Sequence, residues 1–89
     1  MQSKNKPAPT VAERDHILRV KELGCSVCEA AGPSDAHEIR QGAWFTSIAL
    51  CFDCHRGPIL GWHGRKAAWM VRKMDELDAL AVTIRRLLA

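Results

Sequence analysis

The sequence lacks any long apolar run. No segment approaches the roughly 20 consecutive apolar residues that a membrane-spanning helix requires. The first ten residues, MQSKNKPAPT, contain no apolar segment of the kind found in secretory signal peptides. Internal repeats are also lacking, and the formal net charge is only +3. These absences predict a chain without a membrane segment in a reducing cytoplasm. The mild charge permits binding to nucleic acid without demonstrating it.

A chain of 89 residues can bury only a small hydrophobic core. Such a core is marginally stable, so a metal ion or a partner chain is an expected reinforcement. Hydrophobic residues make up 47% of the chain and charged residues 26%, which is ordinary for a folded protein. We therefore predict a flexible tail over residues 1–9 and one small α+β domain over residues 10–89.

The order of helix and strand signals predicts the organisation of this domain. Thr10 and Glu13 fit a capping box, so a first helix should run to about Leu23 and stop at Gly24. Short apolar runs over residues 35–39 and 44–50 predict an antiparallel hairpin. Residues 51–57 fit a turn or a short helix, and residues 65–88 a long C-terminal helix.

The predicted C-terminal helix carries an apolar seam with heptad spacing. Its residues are Met70, Met74, Leu77, Ala81, Ile84 and Leu88. Packing of this seam on the first helix of the same chain is the first expectation. A homodimer through the C-terminal helix is the alternative.

Four cysteines form two C-x2-C pairs, Cys25 with Cys28 and Cys51 with Cys54, separated by 22 residues. Two such knuckles can supply a tetrahedron of thiolates with little chain strain, which is the arrangement that structural zinc prefers. Unligated thiols, disulfides, an iron site and haem attachment at CFDCH are the alternatives. Haem attachment would leave the first pair unexplained, whereas zinc uses all four sulfurs. The spacing lies slightly outside the usual range.

Three of the four histidines, His37, His55 and His63, fall in one window of 27 residues beside the cysteines. Each alone is compatible with an ordinary polar surface residue. Together they favour a second metal site next to the structural one. The fourth, His16, is expected to be exposed on the first helix.

Three segments carry a resemblance to a known family: DAHEIRQG at 35–42, LCFDCHRG at 50–57 and WHG at 62–64. Together they resemble the HNH (ββα-metal) endonuclease superfamily, and within it the phage and prophage members that include the recombination-enhancement nuclease. The similarity covers about residues 25–64, nearly half of the chain. It implies a zinc-stapled ββα-metal core, flanked here by an N-terminal helix and a long C-terminal helix.

The resemblance also implies two metals and a function. Structural zinc would be held by the four cysteines, and His37, His55 and His63 would hold or surround a catalytic cation, Mg²⁺, Mn²⁺ or Zn²⁺. The expected activity is hydrolysis of phosphodiester bonds in DNA, in a bacterial or phage-infected cell. A non-catalytic zinc module that binds DNA or a protein partner is the alternative function.

The chain departs from the family pattern at the general base and at the residue that orients it. On one alignment His37 is the metal ligand and Glu38 the base; shifted by one position, His37 becomes the base. Glu38 could also ligate the cation, or the enzyme could be weakened or inactive. The middle asparagine is absent, and Thr46 or Ser47 lies nearest its place.

Cations near the proposed site are candidates for contact with phosphate. They are Arg40, Arg56, Arg65 and Lys66. Arg56 and Arg65 flank the two later histidines and are favoured as phosphate contacts. Trp44 and Trp62 could stack on bases, although covering the small core is the more ordinary role.

Overall fold

The structure, a computed structural model, describes residues 8–89. A two-stranded antiparallel sheet is surrounded by four helices, which confirms the predicted small α+β fold. Residues 1–7 of the predicted tail lie outside the described part. The elements in chain order are α1 (Val11–Glu22), β1 (Asp35–Glu38), β2 (Ser47–Leu50), α2 (Phe52–Arg56), α3 (Ala67–Val71) and α4 (Glu76–Leu88).

The capping box predicted for α1 is present. The Glu13 amide donates to Thr10 Oγ1 at 3.1 Å, and the Thr10 amide donates to the Glu13 carboxylate at 2.8 Å. Two of the amides that lack partners inside the helix are thereby satisfied. The helix ends at Glu22, and its one fully buried side chain is Val20.

The predicted hairpin forms with shorter strands than the apolar runs suggest. Asp35 pairs with Leu50, and His37 pairs with Ile48. Trp44–Thr46 forms a 3-10 turn before β2, so the second strand begins at Ser47. The hairpin is confirmed, and the extended conformation predicted for residues 44–46 is wrong.

The core lies between the hairpin, the cysteine knuckles and the C-terminal helices. All four residues of β2 are buried, and Trp69 of α3 is 1% exposed. The Trp69 indole N–H donates to the Cys54 carbonyl at 2.9 Å, which satisfies its polar atom. Its ring also packs edge-on against Trp62, with centroids 4.8 Å apart. Trp62 thus covers the core, which is the more ordinary of the two roles predicted for it.

The predicted long helix over residues 65–88 is wrong, because the chain breaks between α3 and α4. Lys73 adopts a left-handed conformation, with φ of 56°. The Met74 amide donates back to the Trp69 carbonyl at 3.0 Å and closes the end of α3. A second capping box starts α4, in which the Asp78 amide donates to Asp75 and the Asp75 amide donates to Asp78. Asp75 followed by Asp78 is the sequence signal for this break.

The break changes which face of the C-terminal helix is buried. The buried residues of α4 are Ala79 and Thr83. Of the predicted seam, Leu77 is 67% exposed and Leu88 81% exposed. Packing of the seam on α1 is therefore wrong for these residues. The homodimer through this face stays a prediction.

Within residues 8–89, every helix is too short or too polar to cross a bilayer.

We predict that Asp75→Ala lowers the free energy of unfolding by about 1 kcal/mol, since α4 loses the acceptor for its Asp78 amide. Chemical denaturation followed by circular dichroism measures the change. Asp15→Ala removes an exposed carboxylate from α1 and serves as the control. Equal stability of Asp75→Ala and the control would show that α4 does not depend on this cap.

Candidate metal centres

The four cysteine sulfurs converge, as the spacing predicts. Their ligand atoms all lie within 4.8 Å of one another. Cys25 and Cys28 belong to the knuckle that follows α1, while Cys51 caps α2 and Cys54 lies within it. The Cys54 amide donates to Cys51 Sγ at 3.4 Å, and the Cys28 amide donates to Cys25 Sγ at 3.5 Å. Each knuckle thus turns both of its sulfurs toward the other pair.

The distances and charges of the sulfurs are compatible with structural zinc. The sulfurs of Cys28 and Cys51 lie 3.6 Å apart, close to the about 3.8 Å expected across a tetrahedral Zn²⁺ with Zn–S bonds of about 2.3 Å. Burial raises the pKa values of the Cys51 and Cys54 thiols. Burial acts in the same direction on Cys25, but backbone amides that donate to its sulfur outweigh it and lower its pKa. A cation is what would let all four ionise together.

The three histidines of the predicted second site also converge. His37 lies on β1, His55 on α2 and His63 in the loop after α2. Their ring centroids lie 4.9 to 5.1 Å apart, and one nitrogen from each falls within 4.8 Å of the others. His16 lies on α1 against Phe45 and is half-buried rather than exposed. The histidines at 37, 55 and 63 thus form one cluster, which we call the imidazole cluster.

His63 reaches the cluster because its loop folds back over α2. The Trp62 amide donates to the Cys54 carbonyl at 2.9 Å, and the His63 amide donates to the His55 carbonyl at 3.1 Å. At Gly61 a Cβ atom would lie 2.6 Å from the backbone of Gly57, so only glycine permits this approach. The loop between His55 and His63 thus folds back through Gly61.

Two carboxylates hold the outer nitrogens of the cluster, and sequence reasoning assigned neither to the site. Asp35 Oδ2 lies 3.0 Å from His55 Nδ1, and Glu76 Oε2 lies 2.6 Å from His37 Nε2. Asp35 lies two residues before His37 on the same strand, and this period-two spacing was the available signal. Glu76 had no such signal, since it lay inside the predicted long helix.

These contacts leave two ring nitrogens facing each other. His37 Nδ1 and His55 Nε2 lie 3.3 Å apart. When the outer nitrogens donate N–H to carboxylates, a neutral ring keeps a lone pair at its inner nitrogen. Burial lowers the pKa of His55, more than Asp35 raises it, which favours the neutral form. Two lone pairs at this distance repel unless a cation or a proton lies between them.

The separation of the inner nitrogens is also the one expected for two ligands of the same metal ion. Zn–N bonds of about 2.0–2.1 Å in a tetrahedron place two nitrogens about 3.3–3.4 Å apart. The observed separation of 3.3 Å agrees with this value. The pKa of His63 is also lowered by burial and by the neighbouring histidines, so it too is available as a neutral ligand. The donor set therefore suits a divalent transition metal.

The imidazole cluster opens into a cavity of about 220 Å³. Its lining includes the predicted base Glu38 and the predicted phosphate contact Arg56. Gln41 also lines it and was not predicted. The Gly42 amide donates to the Glu38 carboxylate at 2.8 Å, which fixes where that carboxylate lies. Gly42 has φ of 90°, a conformation that favours glycine.

The other predicted site residues lie elsewhere or have backbone partners. Arg40 and Arg65 are exposed and do not line the cavity. The ammonium of Lys66 lies 4.1 Å from the centre of the Trp62 ring, a cation–π contact. Thr46 donates to the Ala43 carbonyl and Ser47 to the Trp44 carbonyl, each at 2.7 Å. These hydroxyls shape the 3-10 turn.

Comparison of the chain with protein-family models, with curated proteins and with solved structures gives no match. A functional assignment therefore depends on the chemistry of the two clusters.

We predict one tightly bound zinc per chain, held by the cysteines, because four thiolates bind Zn²⁺ more tightly than three imidazoles do. Cys28→Ala should lose that zinc. Its unfolding temperature should fall by several tens of degrees, or its cooperative transition should disappear, since structural zinc contributes about 10 kcal/mol of binding free energy. Elemental analysis and thermal unfolding measure the two effects.

His55→Ala is the matched control for this experiment, because it alters the imidazole cluster and leaves all four sulfurs. It should keep its zinc. Full zinc content in Cys28→Ala, or thiols found paired as disulfides, would contradict the assignment.

Proposed function

We propose that this protein is an HNH-type, metal-dependent endonuclease that hydrolyses phosphodiester bonds in DNA. The observation that carries the proposal is the imidazole cluster, whose two inner nitrogens face each other at 3.3 Å while carboxylates hold the outer ones. Histidines whose outer ring nitrogen contacts a carboxylate are typical of metal sites. The cluster opens to solvent beside a carboxylate and a guanidinium. A metal buried for structural purposes alone would need no such opening.

The cysteine cluster is proposed to hold structural zinc. It joins the knuckle after α1 to the first turn of α2, the helix that carries His55. The Ser26 amide of that knuckle donates to the Ala49 carbonyl of β2 at 2.9 Å. A sulfur-bound ion would thereby fix α2 relative to the hairpin, and so His55 relative to His37.

The proposed reaction needs a base and a group that binds phosphate. Glu38 would accept a proton from the attacking water, since its carboxylate lines the same cavity as the histidines. Arg56 follows His55 directly and would bind a phosphate oxygen of the substrate. When bound, the divalent cation supplies stabilisation for the negative charge of the transition state. The chain's own contribution is to hold these groups in place before substrate arrives.

A non-catalytic module that binds DNA or a protein partner is the second candidate. One contact favours it: the Glu38 carboxylate already accepts the Gly42 amide in the turn after β1. A carboxylate needed only to shape that turn would leave the site without a base. The exposed position of Arg56 would still serve contact with phosphate.

We predict that the zinc-loaded protein nicks plasmid DNA in the presence of Mg²⁺, Mn²⁺ or another divalent cation. Glu38→Gln should slow cleavage about 10²–10⁴-fold, the usual effect of removing a general base, and His55→Ala should abolish it. Gel analysis of supercoiled plasmid measures the rate. Both variants should retain their cysteine-bound zinc.

Asp53→Asn is the control for the charge change, because Asp53 lies on α2 but lines the groove beside the cysteines instead of the imidazole cavity. It should cleave at the wild-type rate. Absence of cleavage by the wild-type protein on single- and double-stranded DNA with every cation would favour the binding module.

We further predict that Arg56→Ala weakens binding to a labelled DNA duplex and reduces the slope of log K against log salt by about 1, since one phosphate contact is lost. Fluorescence anisotropy over a salt series measures both quantities. Arg85→Ala removes the same charge from the exposed apolar face of α4 and should change neither. Equal slopes for the two variants would remove Arg56 from the DNA-binding surface.

A further inference from the structure

Glu76 joins the C-terminal helix to the imidazole cluster. It is the first residue of α4, and its Oε2 atom lies 2.6 Å from His37 Nε2. The His37 side chain is 7% exposed and that of Glu76 is 20% exposed. A hydrogen bond this short, to a carboxylate in a largely dry setting, is stronger than one between neutral groups.

We propose that Glu76 is a positioning residue of the metal site: it binds the Nε2–H group of His37 and makes Nδ1 the nitrogen that coordinates the cation. The inference rests on the proposed function, since it needs the cation that the three histidines would bind. It goes further by naming a carboxylate outside the region of family resemblance, and by making α4 a working part of the site.

A neutral imidazole carries a single ring proton, on one nitrogen or the other. If Nε2 carries that proton, Nδ1 keeps its lone pair, and Nδ1 is the atom that faces His55 at 3.3 Å. The opposite arrangement would place a lone pair of His37 against the Glu76 carboxylate, which repels it. Glu76 therefore selects the binding form of His37 before any cation arrives. Outer partners of this kind also orient the ring and raise its basicity.

Asp35 does the same for His55 with the nitrogens exchanged. Its Oδ2 atom lies 3.0 Å from His55 Nδ1, so His55 keeps its lone pair at Nε2. The two rings thus present different nitrogens to the same point. The contact of Asp35 is longer and more exposed, with the carboxylate side chain 45% exposed. We therefore expect Glu76 to have the larger effect.

The backbone of Glu76 is held independently of His37. The capping box of Asp75 and Asp78 fixes the first turn of α4. The next turns are tied to the rest of the domain by Thr83, which bonds Ser26 Oγ at 2.7 Å. Removal of the Glu76 carboxylate should leave α4 in place, so an effect on the metal site can be separated from loss of the helix.

Two variants and one control test the proposal, each loaded with zinc at the cysteines. Glu76→Ala removes the acceptor, whereas Glu76→Gln keeps a neutral oxygen at the same place. Asp78→Ala weakens the cap of the same helix without touching His37. Calorimetric titration with Ni²⁺ or Co²⁺ gives the affinity of the second site, and ¹⁵N NMR of the imidazoles without that cation shows which nitrogen of His37 carries the proton.

We expect Glu76→Ala to bind the cation about 10–100-fold more weakly, as is usual when an outer partner of a ligating histidine is lost. Glu76→Gln should lose less affinity, and Asp78→Ala should bind like the wild type. The wild-type NMR spectrum should show His37 protonated at Nε2. In Glu76→Ala, His37 should instead be a mixture of the Nε2–H and Nδ1–H tautomers.

If Glu76→Ala and Asp78→Ala lose affinity for the cation equally, Glu76 merely supports the helix, and the proposal is overturned. If Glu76→Ala and Glu76→Gln lose affinity for the cation equally, and His37 keeps its wild-type tautomer in both, Glu76 is a direct ligand. That result would also overturn the proposal. Wild-type protein that binds no second cation would refute the proposed function instead, and the tautomer of His37 would still report on the hydrogen bond.

Discussion

The hydrophobic core of this domain is packed around cysteine side chains. Cys25 and Cys54 are as completely buried as Ile48 and Leu50, and the same cluster includes Trp69. Four thiols within 4.8 Å bring together the knuckle after α1 and the first turn of α2. Because α2 starts at the second cysteine pair, His55 lies one helical turn beyond a sulfur, and its amide donates to the Cys51 carbonyl. The position of His55 in the imidazole cluster thus follows from that of the second cysteine pair.

The imidazole cluster satisfies its outer polar atoms and leaves its inner ones facing each other. A buried N–H without an acceptor is costly, and Asp35 and Glu76 remove that cost for two rings. In neutral rings that donate to these carboxylates, the lone pairs point inward, where a cation or a proton relieves their repulsion. Stability and ligand orientation thus come from the same hydrogen bonds. A site arranged in this way requires little rearrangement to accept a cation.

The C-terminal helices contribute polar contacts as well as apolar burial. Thr83 of α4 bonds Ser26, and its hydroxyl also accepts the Ala49 amide at 3.3 Å. Arg86 donates to the Cys25 carbonyl at 3.2 Å. These contacts anchor α4 to the cysteine knuckle and to β2, and they explain why the face bearing Ala79 is buried while Leu77 and Leu88 face outward. The helix α4 therefore contacts both clusters, through Arg86 at the Cys25 carbonyl and through Glu76 at His37.

Features that arise from short spacings could be predicted from the amino-acid sequence. The two C-x2-C pairs, the capping box of α1, the hairpin and the grouping of three histidines were all predictable, because each depends on neighbouring residues and regular periods. The break of the C-terminal helix at Lys73 had a local signal in the Asp75–Asp78 capping box, whereas the contact of Glu76 with His37, across 39 residues of chain, depends on tertiary packing. The apolar period of that helix continued across the break, so it hid both facts. Which nitrogen of a histidine faces a cation depends on partners brought together by folding, and local sequence patterns carry no record of them.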